Sequence, residues 1–215
     1  QIKKVLILKA AKAHIRAENE RLILEAGERI FAQHGFRGAT MQMIADQAGL
    51  PKANLHYYFD SKEKLYRCVV EKIFEIWLQA ASSFENSDEP KEALKLYIYE
   101  KMQISRRHPY GSKVWANEVM QGAPIIQDFL ETQLRSWTDG RIESIQAWIA
   151  SGKIRPIEPR WVMYMIWATT QHYADFGHQI ETLNADAPLS EAQWEAASET
   201  VFEVIWNGLA PKQSL

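Results

Sequence analysis

Residues 40–61 read Thr40-Met-Gln-Met-Ile-Ala-Asp-Gln-Ala-Gly-Leu-Pro-Lys-Ala-Asn-Leu-His-Tyr-Tyr-Phe-Asp-Ser61. Thr40 can cap a helix over Met41–Gln47, with Met41, Ile44 and Ala45 on its inward face. Ala48-Gly49-Leu50 follows as a tight turn, with glycine where the chain must reverse sharply. Pro51 presets the first turn of a second short helix, from Lys52 to about Tyr57. Leu55 and Phe59 point inward there, leaving Lys52, Ala53, Asn54, His56, Tyr57 and Tyr58 outside. Two short helices at a glycine turn, the second one amphipathic, meet the requirements of a helix-turn-helix. The turn alone is common between helices of any kind. The run of aromatics before Ser61, followed by a capped helix start bearing Lys62, narrows the reading, because such a surface is costly to expose without a partner. Amide, imidazole and phenol groups can read base edges or hold phosphates, and alanine can touch a thymine methyl.

Helical periodicity extends outward from this stretch. A first helix begins near Ala17, buries Ile23, Ala26, Ile30 and Phe31, and stops at His34-Gly35. A fourth, capped by Asp60 or Ser61, runs through Leu65, Val69, Ile73 and Trp77 to about Ser82. Further helices are expected over Asp88–His108, Ser112–Gln121, Ile125–Ser151, Pro159–Thr182 and Ser190–Asn207. The last opens with capping-box spacing at Ser190 and Gln193. No segment has strand periodicity, and glycine and proline are sparse. The expected fold is all-α with about nine helices: an N-terminal three-helix domain containing the helix-turn-helix, then a larger C-terminal helical domain.

Charge divides the chain in the same place. The first 60 residues carry a balance of +3 and the rest −5, although the whole is only −2. Lys3, Lys4, Lys9, Lys12 and Arg16 precede the first acid, so residues 1–16 read as a basic N-terminal arm. A solvated tail and a nucleic-acid contact both fit that arm. Residues 17–62 are the expected DNA-binding domain and 63–215 the second domain, which holds all eight tryptophans. A single cysteine, Cys68, excludes an internal disulfide framework and a cysteine-cluster metal site. The longest purely apolar run is the eight residues Trp161–Ala168, and the N-terminal run Val5–Leu8 has four; both are far too short for a membrane span, and no secretory signal is visible. A cytoplasmic protein without a membrane partner is expected.

The segments Ala26-Gly-Glu-Arg-Ile-Phe31, Gly35-Phe-Arg-Gly-Ala-Thr40, Ile44-Ala-Asp-Gln-Ala-Gly49 and Leu55–Tyr66 stand in an order and spacing that resemble the TetR (tetracycline repressor) family of bacterial regulators. The resemblance covers about residues 20–66. It implies that Thr40 holds a phosphate, that Gln42 can reach bases, and that Lys52, Ala53, Asn54, His56, Tyr57 and Tyr58 form the recognition surface. It also implies that Lys62 grips the DNA backbone. A small hydroxylic residue is commoner in that family where Lys52 and Asn54 stand, so the base preference can differ here. The implied partner is double-stranded, near-palindromic operator DNA. Two reading helices about 34 Å apart reach consecutive major grooves, so a homodimer is expected.

The back half must supply its function from its own site. Trp167 and Gln171 are four residues apart, on one helix face, with Tyr164 on the same stripe. Trp77 and Trp115 are candidate walls. A buried glutamine amide both donates and accepts; a planar ring bearing adjacent N–H and C=O groups would match it, and so would a backbone partner. Trp137, Trp148, Trp194 and Trp206 read as core filling. Trp77, Gly122-Ala-Pro124, Ser151–Pro159 and Met165–Phe176 resemble the pyrimidine-utilisation regulators within the family. That implies a small-molecule effector, uracil or thymine, that releases the protein from DNA. The resemblance also implies a dimer interface from the last two helices, for which Ile166, Val201, Phe202, Ile205 and Trp206 are candidates.

No catalytic residues, metal site or cofactor are expected. His172 and His178 lie about 120° apart around a helix, so they cannot face one ion together with Asp175. Glu118 and Asp175 are single acids, and there is no phosphate loop or nucleophile elbow. The alternatives are a TetR-like repressor sensing another aromatic or amphipathic compound, and a helical pyrimidine-binding enzyme.

Overall fold

The computed structural model describes residues 2–86 and 88–211, with side chains from residue 11 onward except 85 and 86. Among these there are twelve α-helical segments, one π turn and no strand. They are α1 (Ile2–Gly38), α2 (Met41–Ala48), α3 (Lys52–Tyr58), α4 (Lys62–Ala80), α5 (Ser83–Asn86) and α6 (Pro90–Arg107). Then come α7 (Pro109–Met120), α8 (Gln127–Phe129), the π turn (Leu130–Leu134) and α9 (Arg135–Ala150), followed by α10 (Pro159–Asp175), α11 (Gly177–Leu183) and α12 (Glu191–Leu209).

Local chemistry sets most of these boundaries. The Thr40 hydroxyl accepts from Met43 N at 3.1 Å and the Ser61 hydroxyl from Lys64 N at 3.1 Å. Ser190 and Gln193 form a reciprocal capping box at the start of α12. Each such cap stabilises its helix by about 1 kcal/mol. Gly49 sits at φ 66°, ψ 29°, the left-handed region that a side chain disfavours, and this turns α2 into α3.

Three expectations change in detail. The first helix does not start near Ala17; α1 is continuous from Ile2, so the basic stretch is helical rather than a separate arm. The side chains of Lys3, Lys4 and Lys9 lie outside the described residues. The expected stop at Gly35 is present as a kink, with φ 65° and ψ 174° inside a segment that runs to Gly38. The nine expected helices become twelve because a short α5 follows α4, the π turn interrupts the helix before α9, and Phe176 separates α11 from α10.

The core runs without interruption through both halves. Leu55 of α3 and Phe59, which ends it, share one buried cluster with Ile23, Ile30 and Phe31 of α1 and Leu65 of α4. In the second half α6 is central, packing on α4, α5, α10 and α12. That position decides the fate of the expected interface residues. Ile166 (0% exposed), Phe202 (4%) and Ile205 (4%) face the protomer's own core, and Val201 and Trp206 are half-buried against it. The faces of α10 and α12 that these residues form are taken by α6, so the outward faces are different ones. No helix among the described residues is long and apolar enough to cross a membrane.

Candidate functional site

At the end of the molecule formed by α2 and α3, Thr40, Gln42, Lys52, Ala53, His56 and Tyr57 are exposed, and Asn54 and Tyr58 are half-buried. Burial of Leu55 and Phe59 fixes which side of α3 looks outward. Tyr57 is 70% exposed, an unusual position for a large aromatic. Its ring meets Tyr58 edge to face at 5.2 Å, and the Tyr58 hydroxyl accepts from Asn19 Nδ2 at 3.2 Å. The Arg16 guanidinium lies 5.8 Å from the centre of the Tyr57 ring. Lys12 and Arg16 of α1 thus border the same groove as the two tyrosines. Gln42 donates to Asp46 within α2 at 2.8 Å.

Lys62 is placed differently from the rest. Its Nζ donates to the carbonyls of Phe36 (2.7 Å) and Ala39 (2.9 Å) and lies 4.5 Å from the Phe36 ring centre. Two of its three N–H donors therefore hold the α1–α2 connector, and one remains for an outside acceptor.

The second half holds a partly open cavity of about 190 Å³ between α4, α6, α7, the π turn, α9 and α10. Trp77, Trp115, Trp167 and Gln171 all line it, as expected from the sequence. Tyr164 does not. It is 42% exposed and rests against Trp161 and Trp167 on the outer side of α10. Seven residues of helix place it about 10 Å along the axis from Gln171.

The walls are largely aromatic. Trp115 stacks on Phe74 at 5.7 Å and meets Trp77 edge to face at 5.3 Å. Trp167 donates its indole N–H to the Tyr97 hydroxyl at 3.0 Å, which fixes its plane. Trp137, read from the sequence as core filling, is also a wall, 6.2 Å from Trp167. The Gln171 side chain makes no hydrogen bond among the described residues, so a backbone partner does not satisfy it.

The sequence reading missed Lys101. It is 2% exposed, lines the cavity, and has its Nζ 4.2 Å from the centre of the Trp77 ring. Burial pushes its pKa down to about 7, against a weaker opposing pull from Asp175. The signal was available: Lys101 falls on the apolar stripe of α6, three and seven residues after Ile98 and Leu94. Tyr97, also missed, is on that stripe and is fully buried; burial raises its pKa, so its hydroxyl stays neutral.

Glu118, Asp175 and His172 have partners within the fold. Glu118 accepts from the Tyr66 hydroxyl (2.9 Å) and from the backbone N–H groups of Ile125 (2.7 Å) and Ile126 (3.2 Å). Asp175 accepts from the Ser112 hydroxyl at 2.6 Å, and burial raises its pKa. His172 stacks on Phe176 at 4.8 Å. No group of three His, Cys, Asp or Glu among the described residues could hold a metal ion.

One helix joins the two sites. α4 carries Lys62 and Tyr66 near the helix-turn-helix and Phe74, Trp77 and Leu78 on the cavity. α7 carries Trp115 and Val119 on the cavity, and its Gly111 N–H donates to Glu28 of α1 at 2.8 Å.

Two family models divide the chain between them. Residues 23–69 match "Bacterial regulatory proteins, tetR family", and residues 70–212 match "YcdC-like protein, C-terminal region". The chain belongs to the TetR family of bacterial regulators. This TetR-family regulator is 39% identical over 193 residues to the HTH-type transcriptional regulator RutR of Escherichia coli O157:H7, covering 90% of this chain and 91% of that one. The RutR of strain K12 is 38% identical over the same length. Among solved structures, a TetR family transcription regulator from Marinobacter aquaeolei VT8 superposes with a TM-score of 0.69 at 19% identity, over 93% of this chain and 100% of that one. FadR from Bacillus subtilis, in complex with stearoyl-CoA, gives 0.65 at 20% identity, over 87% and 98%. At these identities the structures share the fold. The TetR-family regulator is a transcriptional regulator and not an enzyme, and its family binds operator DNA and small-molecule effectors and dimerises.

Proposed function

We propose that this protein is a homodimeric repressor whose operator complex is dissolved by uracil or thymine bound in the tryptophan-walled cavity. One observation carries the reading: an amide without a partner among the described residues, Gln171, faces a 190 Å³ space lined by indoles. A cavity of roughly 150 Å³ admits a benzene-sized ring, so this one suits a single planar ring and not a long chain. The indoles would stack on the faces of such a ring, and Gln171 would meet an adjacent N–H and C=O. RutR, at 39% identity, is a relative whose likeness spans both halves of the chain.

On the DNA side, Gln42, Lys52, Ala53, Asn54, His56, Tyr57 and Tyr58 would face bases and phosphates, with Thr40 and the spare N–H of Lys62 on the backbone. The dimer would form on the outward faces of the last long helices. Trp161 (60% exposed), Tyr164, Met165 (41%) and Ala168 share one side of α10. Ala192, Ala196, Thr200, Val204 and Gly208 form a small-residue stripe at i, i+4 spacing along α12, so backbones can approach closely.

Ligand in the cavity would press on Trp77 and Trp115 and so reorient α4 and α7, changing the separation of the two reading helices. The size of that shift must equal the ligand's differential affinity for the two arrangements. A second reading, an aliphatic acyl ligand, draws on the FadR complex with stearoyl-CoA; the small volume here weighs against it.

The test is tryptophan fluorescence titrated with uracil, thymine, dihydrouracil and cytosine, alongside operator binding. Saturable quenching by uracil and thymine, with loss of operator affinity over the same range, is expected. A flat response to all four would remove the pyrimidine reading and leave a regulator with another effector.

A further inference from the structure

We infer that Lys101 is the residue that sets effector specificity, by demanding a carbonyl oxygen on the bound ring and rejecting an exocyclic amino group. This deepens the pyrimidine reading above and rests on it. The geometry supplies the argument. Lys101 is 2% exposed, borders the cavity, and makes no hydrogen bond or ion pair among the described residues. Its Nζ lies 4.2 Å from the centre of the Trp77 ring. An ammonium is a donor with no acceptor capacity. Facing the cavity without a protein acceptor, it draws its hydrogen-bond partner from whatever occupies that space, and a ring carbonyl brought to it supplies one. A ring amino group in the same place would set donor against donor and leave both desolvated.

Gln171 cannot make this distinction, because its amide can turn to donate or accept. The two side chains therefore have separate tasks: Gln171 meets a mixed donor–acceptor edge, and Lys101 fixes which exocyclic atom must be oxygen. A site built around a buried polar group can reject the mismatched analogue far more strongly than an apolar pocket can.

A pH signature follows. The groups that bear on Lys101 are Asp175 of α10, which favours its charge, and through Asp175 the Ser112 hydroxyl, Lys113 of α7 and His172 of α10. From α4 the facing group is the uncharged Trp77 ring. Tyr97, beside it on α6, stays neutral; Arg141 of α9 acts on Tyr97. Burial holds the pKa of the Lys101 ammonium down at about 7 when no acceptor is brought to it. A carbonyl accepting from it favours the charged form, so the complex holds more protons than the free protein. Affinity is then highest below about pH 7 and falls as pH rises through that value.

The experiment measures dissociation constants of uracil, thymine and cytosine by fluorescence and calorimetry, between about pH 6 and pH 8.5, for the full chain and for Lys101→Met. The wild-type protein is expected to prefer uracil and thymine over cytosine by tenfold or more at the acid end, with uracil affinity declining toward the alkaline end. Lys101→Met, which fills a similar volume, is expected to lose at least tenfold in uracil affinity, most of the preference, and the pH dependence. Uracil binding by Lys101→Met with wild-type affinity, preference and pH profile would overturn the inference while the pyrimidine reading stands. No binding of any of the three by the wild-type protein would remove the pyrimidine reading and this inference with it. Circular dichroism and a urea midpoint on the variant separate lost folding from lost binding; a variant that fails to fold is replaced by Lys101→Gln, for which the same outcomes apply, with partial recovery of uracil affinity because its amide can donate.

Discussion

The hydroxyl of Tyr66 donates to the carboxylate of Glu118 at 2.9 Å, joining α4 to α7 inside the core. Tyr66 packs edge to face on Phe31 (4.9 Å) and Phe36 (5.0 Å), next to the connector that leads into the helix-turn-helix. Glu118 lies between Trp115 and Val119 in sequence, both on the cavity. The bond therefore ties a cavity-lining helix to the base of the DNA-reading unit. Tyr66→Phe leaves a buried carboxylate with only its backbone donors, and a loss of about 1–3 kcal/mol in stability is expected. Denaturant unfolding measures that. Operator binding with and without effector measures the second effect: a weaker response to ligand at unchanged ligand affinity.

The basic helical extension offers a test on the DNA side. Lys12 and Arg16 border the groove that contains Tyr57 and Tyr58. Replacing both by alanine is expected to weaken binding to specific and random duplexes alike. The slope of log affinity against log salt should fall in magnitude by up to about 0.9 for each phosphate that is no longer neutralised. An unchanged slope would make this part of α1 a bystander.

The two faces of α10 separate folding from assembly. Met165 is 41% exposed and Ile166 is fully buried, although they are neighbours in sequence. Met165→Glu is expected to shift the protein from dimer to monomer in sedimentation while the protomer's helical content persists. Ile166→Ala is expected to lower stability by about 2–5 kcal/mol through a core cavity, with a smaller effect on assembly at temperatures where the protein stays folded.

Lys101 also has a stability signature. Its folded pKa, about 7, lies below the ordinary lysine value near 10.4. Between those values the unfolded chain holds the extra proton, so stability from this group rises with pH across that window. Below about pH 7 both states are charged and the burial penalty is fully present. Lys101→Met is expected to be more stable than the wild-type protein at pH 6 and to approach it toward pH 9. Urea midpoints at the two pH values report the difference.

The helix-turn-helix was legible because its determinants are local. Thr40, Gly49, Pro51 and Ser61 set boundaries by capping and turn chemistry, and Leu55 and Phe59 set which face is buried; each acts within a few residues of itself. Part of the cavity was legible for the same reason, since Trp167 and Gln171 share a face by helical spacing alone. The inward placing of Lys101 and Tyr97 was legible in the apolar stripe of α6, but their meeting with Trp137 of α9 in one cavity was not, because nothing in the spacing of either helix says what it will pack against.

By itself the sequence determined the all-helical fold, the reading unit at its front and the aromatic character of its back. Periodicity, capping residues and turn residues encode these within one or two helical turns. Only the tertiary structure decided which outward and inward faces exist. It turned Ile166, Phe202 and Ile205 into the core because α6 lies against them, and it left Trp161 and Met165 outside. It also directed two donors of Lys62 to the carbonyls of Phe36 and Ala39, and it closed Lys101 into a tryptophan-walled cavity with no acceptor among the described residues. Burial and partner choice depend on elements far apart in the chain, and that is why packing, not pattern, settled them.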